Sequence, residues 1–370
     1  MVRMMSNGVS AAALAAAAFM VSGSAGAQEA NLEAARALIE EARALPAFEA
    51  PGEAFDARAC AADKKLYVIP LTSENPFNVE IGKAQQEAAE AVGLEITVSD
   101  NQLNVDQWVQ AVQTAISEGY DAIDIMGGVP PEAMGPQLAE ARAAGIKVVA
   151  THLYDVTQTK SELIDGNFAM NYSRAGEIMA AWAMDKTEGA VNAVIIGSDE
   201  ILPTGPFVQA IQNYLDENAP GSKHRYINVP VTEWGSQIQP EVQSALVADP
   251  EINYILPIYD SMSAFVIPAL TLSNREDVRI ASYNGTPFTL DFLRDGDLME
   301  MNVGESLNWV GWASIDGTLR VLCDAGEVTE LNTPLYIFDD ENVETAGVPA
   351  TYEGYGDAYV EGFRTLWGVE

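Results

Sequence analysis

The chain is 370 residues long, with 54 acidic and 19 basic side chains and a formal net charge of −35. A field of that sign repels phosphate backbones and argues against a nucleic-acid partner. Apolar residues make up 48% of the chain, enough to exclude a wholly disordered protein, and the length suits two lobes or two ordinary domains.

Residues 1–27 read as a cleaved leader. Arg3 precedes an apolar run from Ala11 to Val21 that is too short to span a bilayer, and Ala25-Gly26-Ala27 is a small-residue cleavage pattern. An uncleaved anchor is the other reading. Cys60 and Cys323 are the only cysteines; export permits one disulfide between them, and two separate buried thiols is the alternative.

Residues 28–63 form a lead-in, with an acidic helix expected from Asn31 to Leu45 and a Pro/Gly-containing stretch after it. A regular pattern follows. Leu66 to Ile69 is a short apolar run that reads as a buried strand, and Pro76 to Val92 is a helix with Pro in its first turn and Gly93 at its end. Strands at 95–99, 122–125 and 146–150 alternate with helices at 105–118 and 131–144. After a break near 155–170 the alternation resumes. Helices are expected at 172–186, 204–217, 238–247, 261–272, 287–294 and 308–324. Strands are expected at 190–196, 226–231, 254–258, 278–283, 299–303 and 334–338, then an acidic tail with a short helix after Tyr355. Repeated strand–helix alternation in two runs implies two similar lobes of parallel sheet covered by helices. Ligands of such sheets bind beyond the carboxyl ends of the strands, so function is sought in the loops that follow them.

Catalytic signatures are sparse. His152 and His224 are the only histidines, and neither cysteine lies at zinc-ligand spacing. No G-x-S-x-G elbow, Walker A loop or dinucleotide loop follows a strand. No metal or cofactor is expected. The carboxylates read as a solvated surface; an exported hydrolase working through a carboxylate pair is kept as a lesser alternative.

The loops then become specific. Leu71-Thr72-Ser73-Glu74-Asn75-Pro76-Phe77, opening a helix, resembles the "NPF" signature of the ribose-type periplasmic binding proteins that serve ABC importers. Ala144 to Val149 resembles that family's "A-x-I-P-V-I" strand, Ser282-Tyr283-Asn284-Gly285-Thr286-Pro287 its "F-D-G-T-P", and Leu307 to Leu322 its late helix. The resemblance covers about residues 64–338. It implies an α/β protein of two doubly wound parallel-sheet lobes joined by a three-strand hinge, closing on a ligand in the cleft between them. On that reading the first lobe is 64–168 plus 306–335, and the second lobe with the acidic tail is 169–305 plus 336–370. The lead-in and tail are expected to brace the hinge side.

The resemblance also implies a site. Asn75 and Phe77 fall in the first loop, one to hydrogen-bond and one to stack on a sugar's C–H face; Asn78 replaces a second stacking aromatic. Trp234 falls where the opposite lobe supplies an aromatic wall. Tyr259-Asp260 occupies an "N-D" pair, Asn284 replaces an Asp, Glu305 replaces an amide, and Thr151-His152-Leu153 stands where ribose binders carry "L-D-R". Asn171 lies near the first hinge crossing. Each has a plainer reading. Phe77 as interlobe core, Trp234 as a loop aromatic and His152 as a partner of local backbone are three. The others are Asp260 as a helix cap, Glu305 as a solvated hinge residue, and Asn284 and Asn171 as turn or structural residues. Trp309 and Trp312 are expected to cover the first lobe's sheet.

The arginines of ribose recognition are absent. The resemblance thus implies a monomeric periplasmic substrate-binding protein for a sugar, polyol or similar small polar solute, delivered to an inner-membrane ABC permease. The alternative is a small cationic, amine or nucleoside-like solute caged by Glu305 and the aromatics.

Overall fold

The computed structural model describes residues 12–296 and 298–369, with side chains from Gly26 onward except Ala27. The first eleven residues of the expected leader lie outside the described residues. No described helix is long and apolar enough to cross a membrane.

The chain opens with helix α1 (Ala12–Ala42) and a short α2 (Ala57–Ala61). The first lobe is then built from β1 (Lys65–Pro70), α3 (Pro76–Val92), β2 (Glu95–Val98), α4 (Val105–Ser117), β3 (Ala122–Met126), α5 (Gly135–Ala143), β4 (Lys147–Asp155) and β5 (Gly166–Met170). Its five strands are all parallel, in the order β2-β1-β3-β4-β5. The expected break at 155–170 thus holds a strand. Its residues, Gly-Asn-Phe-Ala-Met, carry too little β-branched character to read as one.

The second lobe contains α6 (Tyr172–Lys186), β6 (Asn192–Gly197), α7 (Thr204–Asn218), β7 (Lys223–Asn228), α8 (Trp234–Ala248), β8 (Tyr254–Pro257), α9 (Asp260–Leu272), β9 (Arg279–Asn284), α10 (Pro287–Asp295) and β10 (Met299–Glu305). Helix α11 (Leu307–Cys323) returns to the first lobe and packs along α3. Strand β11 (Leu335–Phe338) then joins the second sheet, and α12 (Ala358–Trp367) ends the described chain. The second sheet runs β11-β10-β9-β8-β6-β7, parallel except for the antiparallel β10–β11 pair.

Three segments cross between lobes at the hinge: β5 into α6, β10 into α11, and α11 into β11. The lead-in and tail add two more. Helix α1 lies on α6 of the second lobe, whereas α2 packs on α11 and Cys60 is disulfide-bonded to Cys323. The tail leaves β11, packs its 3-10 turns Val343–Ala346 and Tyr352–Tyr355 against the second lobe, and lays α12 on α11. The assignment of 336–370 to the second lobe therefore needs correction, because α12 belongs to the first.

The reason is the outer face of α11. Trp312 stacks on Trp367, and Trp309 lies against Phe48 and Tyr359. The two tryptophans thus meet the lead-in and tail; the expectation that they cover the sheet is corrected by these partners. Beneath them, Asp316 accepts from Arg320 Nε and Trp367 Nε1, both at 2.8 Å, while an Arg320 amine donates to Glu53 O at 3.0 Å. Both charged side chains are essentially inaccessible. Removing one partner of a buried pair strands the other. Asp316→Ala is expected to cost about 3–5 kcal/mol in urea unfolding, and to loosen the lead-in and tail together.

Candidate functional site

Strand ends and helix starts meet at the cleft. On the first lobe, the Asn75 side chain caps α3 by accepting from Phe77 N–H at 3.0 Å, and Pro76 follows at the first helical position. This capping fixes the loop that presents Leu71, Thr72, Asn75 and Phe77 to a cavity of about 80 Å³ between the lobes. Gly127 and Gly128 end β3 at positive φ and let the backbone form part of the wall. The second lobe supplies Ile201, Val231, Trp234, Tyr259 and Ser261, with Tyr172, Asn284 and Thr286 nearer the hinge.

At the cleft floor a buried polar cluster ties the lobes. Glu305, at the end of β10, is fully buried. Its Oε1 accepts from Tyr283 OH at 2.7 Å and Asn284 Nδ2 at 3.4 Å, and lies 2.6 Å from His152 Nε2 on β4. His152 Nδ1 lies 2.5 Å from Tyr172 OH. The Tyr172 and Tyr283 phenols are held well above their ordinary pKa by burial first and by the Glu305 charge second, so both stay protonated. His152 (φ 57) and Asn284 (φ 126) take left-handed backbone conformations that such residues adopt only when their surroundings hold them.

The aromatic wall is likewise fixed from behind. Trp234 lies stacked with Tyr259, ring centroids 6.3 Å apart, and its Nε1 donates to Ser198 Oγ at 2.8 Å. Tyr259 OH pairs with Thr204 Oγ1 at 2.9 Å. Phe77 meets the His152 ring edge-on at 4.9 Å.

Six of the ten expected residues line this cavity: Asn75, Phe77, His152, Trp234, Tyr259 and Asn284. Glu305 lies behind it, holding His152, and is buried, so the solvated reading of it is corrected. Asn78 is buried beneath Gly127, its amide without a hydrogen-bond partner, and lines a separate hollow behind the first loop. Asp260 does not reach the cavity. Its carboxylate accepts from Ser282 Oγ, Asn302 Nδ2, and Thr286 N–H and Oγ1 at 2.6–2.8 Å, clamping the β9–α10 loop. Burial pushes its pKa up to about 6 despite those bonds. Asn171 is exposed and caps α6 through Arg174 N–H. It turns away because the cap holds its side chain, and the next residue, Tyr172, enters the cleft instead. The rule that sites follow strand ends points to nearly every lining residue; Tyr172, one step past Asn171, and Val231, placed in the expected strand 226–231, are the two it passes over.

Periplasmic binding protein domain is the family that matches, over residues 66–326. The chain belongs to that family. It is 22% identical over 289 residues to the ribose import binding protein of Escherichia coli (strain K12), covering 75% of this chain and 90% of that one. It is 23% identical over 252 residues to a xylitol-binding protein of Mycolicibacterium smegmatis, covering 65% and 68%. In structure it is similar to an ABC sugar transporter subunit from Rhodobacter sphaeroides 2.4.1, with a TM-score of 0.66, 18% identity, and 76% and 99% of the two chains covered. These likenesses match the expected fold: two α/β lobes of the ribose-type class.

Next to the cleft floor, Asp124 on β3 is fully buried. Its Oδ2 accepts from Gln85 Nε2 at 2.6 Å and Thr151 Oγ1 at 2.8 Å, while its Oδ1 has no partner. Burial pushes its pKa from 3.8 up to about 7. A carboxyl whose folded value lies above its unfolded value loses stability as pH rises between the two, and the loss stays constant above both. Asp124→Asn is therefore expected to raise the melting temperature at about pH 8 and to change it little at about pH 4, a trend read from melts across that range.

Proposed function

We propose that this protein is a periplasmic solute-binding protein that captures a small neutral sugar-like or polyol solute between its lobes and delivers it to an ABC permease. The observation that carries the reading is the cavity itself. It joins loops from both lobes at the strand ends, is lined by Phe77 and the Trp234–Tyr259 stack, and offers amide and hydroxyl groups from Asn75, Ser261 and Asn284. Aromatic faces with a few placed polar groups suit a polyhydroxylated ring or chain. The volume of about 80 Å³ corresponds to about six water-sized volumes, which fits a small solute and not an oligosaccharide.

Relatives point the same way. One solved structure of this fold, from Agrobacterium vitis, holds allitol, and the sequence relatives named above take ribose and xylitol by their names. Export through the leader, action as a monomer and partnership with an inner-membrane permease belong to the same proposal. So does binding without turnover: among the described residues, the lining holds neither Asp nor Glu to act as acid or nucleophile. The same fact weighs against the cationic alternative. Its intended carboxylate, Glu305, is absent from the lining: Oε1 is engaged by His152, Tyr283 and Asn284, and Oε2 is buried behind the wall without a partner.

The test is a thermal-shift screen of pentoses, hexoses, polyols and small amines, followed by calorimetry on the hits. A binder of the folded state raises the melting temperature by mass action. A sugar or polyol is expected to do so, with Trp234→Ala and Phe77→Ala each weakening it at least about tenfold. A response confined to amines, or hits indifferent to both substitutions, would reject the assignment.

A further inference from the structure

The polar groups around the cavity are mostly spent on the protein. Trp234 Nε1 donates to Ser198 Oγ and, at 3.1 Å, to Val229 O. Tyr259 OH is paired with Thr204, and Thr286 Oγ1 donates to Asp260. Both His152 nitrogens are taken, Nε2 by Glu305 and Nδ1 by Tyr172, whose hydroxyl lies between that nitrogen and the His152 carbonyl. His152 therefore meets the cavity with ring carbons, and Tyr172 with its ring. Among the lining side chains, what remains for a ligand is the Asn75 amide beyond its cap bond, the Ser261 hydroxyl, and Asn284, whose two protein bonds are both long at 3.4 Å; behind the lining, Glu305 Oε2 and the Asn78 amide are buried without partners. Thr72 is partly engaged by Glu74 N–H and Asn101 O. Leu71, Ile201 and Val231 fill the spaces between the aromatics.

From this inventory we infer that the preferred ligand is a deoxygenated or alkylated sugar: a neutral ring with two or three hydroxyls on one edge and an apolar substituent or face on the other. The inference rests on the sugar-binding reading above and narrows it. A pentose or hexose with a hydroxyl on every carbon turns hydroxyls toward the carbon-lined parts of the wall, Leu71, Ile201, Val231 and the rings, where no side chain can meet them. Each hydroxyl buried without a partner lowers affinity by about tenfold or more. Replacing such a hydroxyl by hydrogen, or its CH₂OH by methyl, removes the unmet group and places apolar surface against Ile201, Val231 and the rings. Fixed side-chain partners behind the wall also prevent the aromatics from turning their polar atoms toward a hydroxyl without breaking a buried bond.

Matched pairs test this on the purified full chain. Calorimetry and thermal shift would compare ribose with 2-deoxyribose and 5-deoxyribose, and galactose with fucose in both enantiomeric series. In at least one pair the deoxygenated member is expected to bind tenfold tighter or better. Val231→Thr and Ile201→Thr, which place a hydroxyl in the apolar wall, are expected to narrow that gap. Parent sugars binding as tightly as, or tighter than, every deoxygenated partner would overturn the inference and leave the sugar-binding reading standing. No binding by any member of any pair would remove both.

Discussion

One carboxylate oxygen organises the middle of this protein. Glu305 Oε1 collects contacts from His152 on the first lobe and from Tyr283 and Asn284 on the second, all within a fully buried pocket at the hinge. That oxygen is met by phenol, amide and imidazole groups, while its companion Oε2 is buried without a partner. Its requirements then propagate outward. His152 presents one nitrogen to Glu305 and the other to Tyr172, and its backbone is left-handed within β4, where the pairing with β5 shifts register. Asn284 is likewise held at positive φ. The cleft floor is therefore dictated by the hinge, which turns carbon surfaces of His152 and Tyr172 toward the cavity.

The second constraint is the outer face of α11. Two tryptophans three residues apart would stand exposed if the chain ended after β11. The lead-in supplies Phe48 and the tail supplies Tyr359, Phe363 and Trp367 to cover them, with Asp316 and Arg320 joining both segments underneath. Gly362 shows how closely the two approach: a Cβ there would lie 2.2 Å from the Phe48 ring. The family match ends at residue 326, and the solved relative from Rhodobacter sphaeroides covers 76% of this chain while being 99% covered itself. The lead-in and most of the tail thus lie outside the family match and pack on α11.

Much of the architecture was legible because its signals are local. Asn75-Pro76 announces a helix start, Gly93 its end, and the apolar runs of β1, β3 and β4 announce buried strands. The loop positions of most cavity residues followed from strand direction alone. What the sequence hid depends on contacts far away in the chain. Asp260 looks like a helix cap, and its partners turn out to be residues 282, 286 and 302. Glu305 reads as a ligand contact from its place in the resemblance, and only the fold shows it turned onto His152 behind the cavity. Asn171 and Tyr172 are neighbours in sequence, and only the cap geometry decides which of them enters the cleft. Strand β5 lacked the composition of a strand and is held by pairing with β4.

Five chain crossings between the lobes, two of them added by the lead-in and tail, also bear on how the cleft shuts. A joint of three strands permits bending together with some twist and sideways slip. Straps fixed on both lobes, one of them fastened covalently through Cys60 and Cys323, resist the twist and slip and leave the bend. Any relative motion of the two lobes is then reduced to nearly a single coordinate. A ligand arriving at such a joint has less orientational disorder to remove when the lobes meet, and more of its contact energy is expressed as affinity.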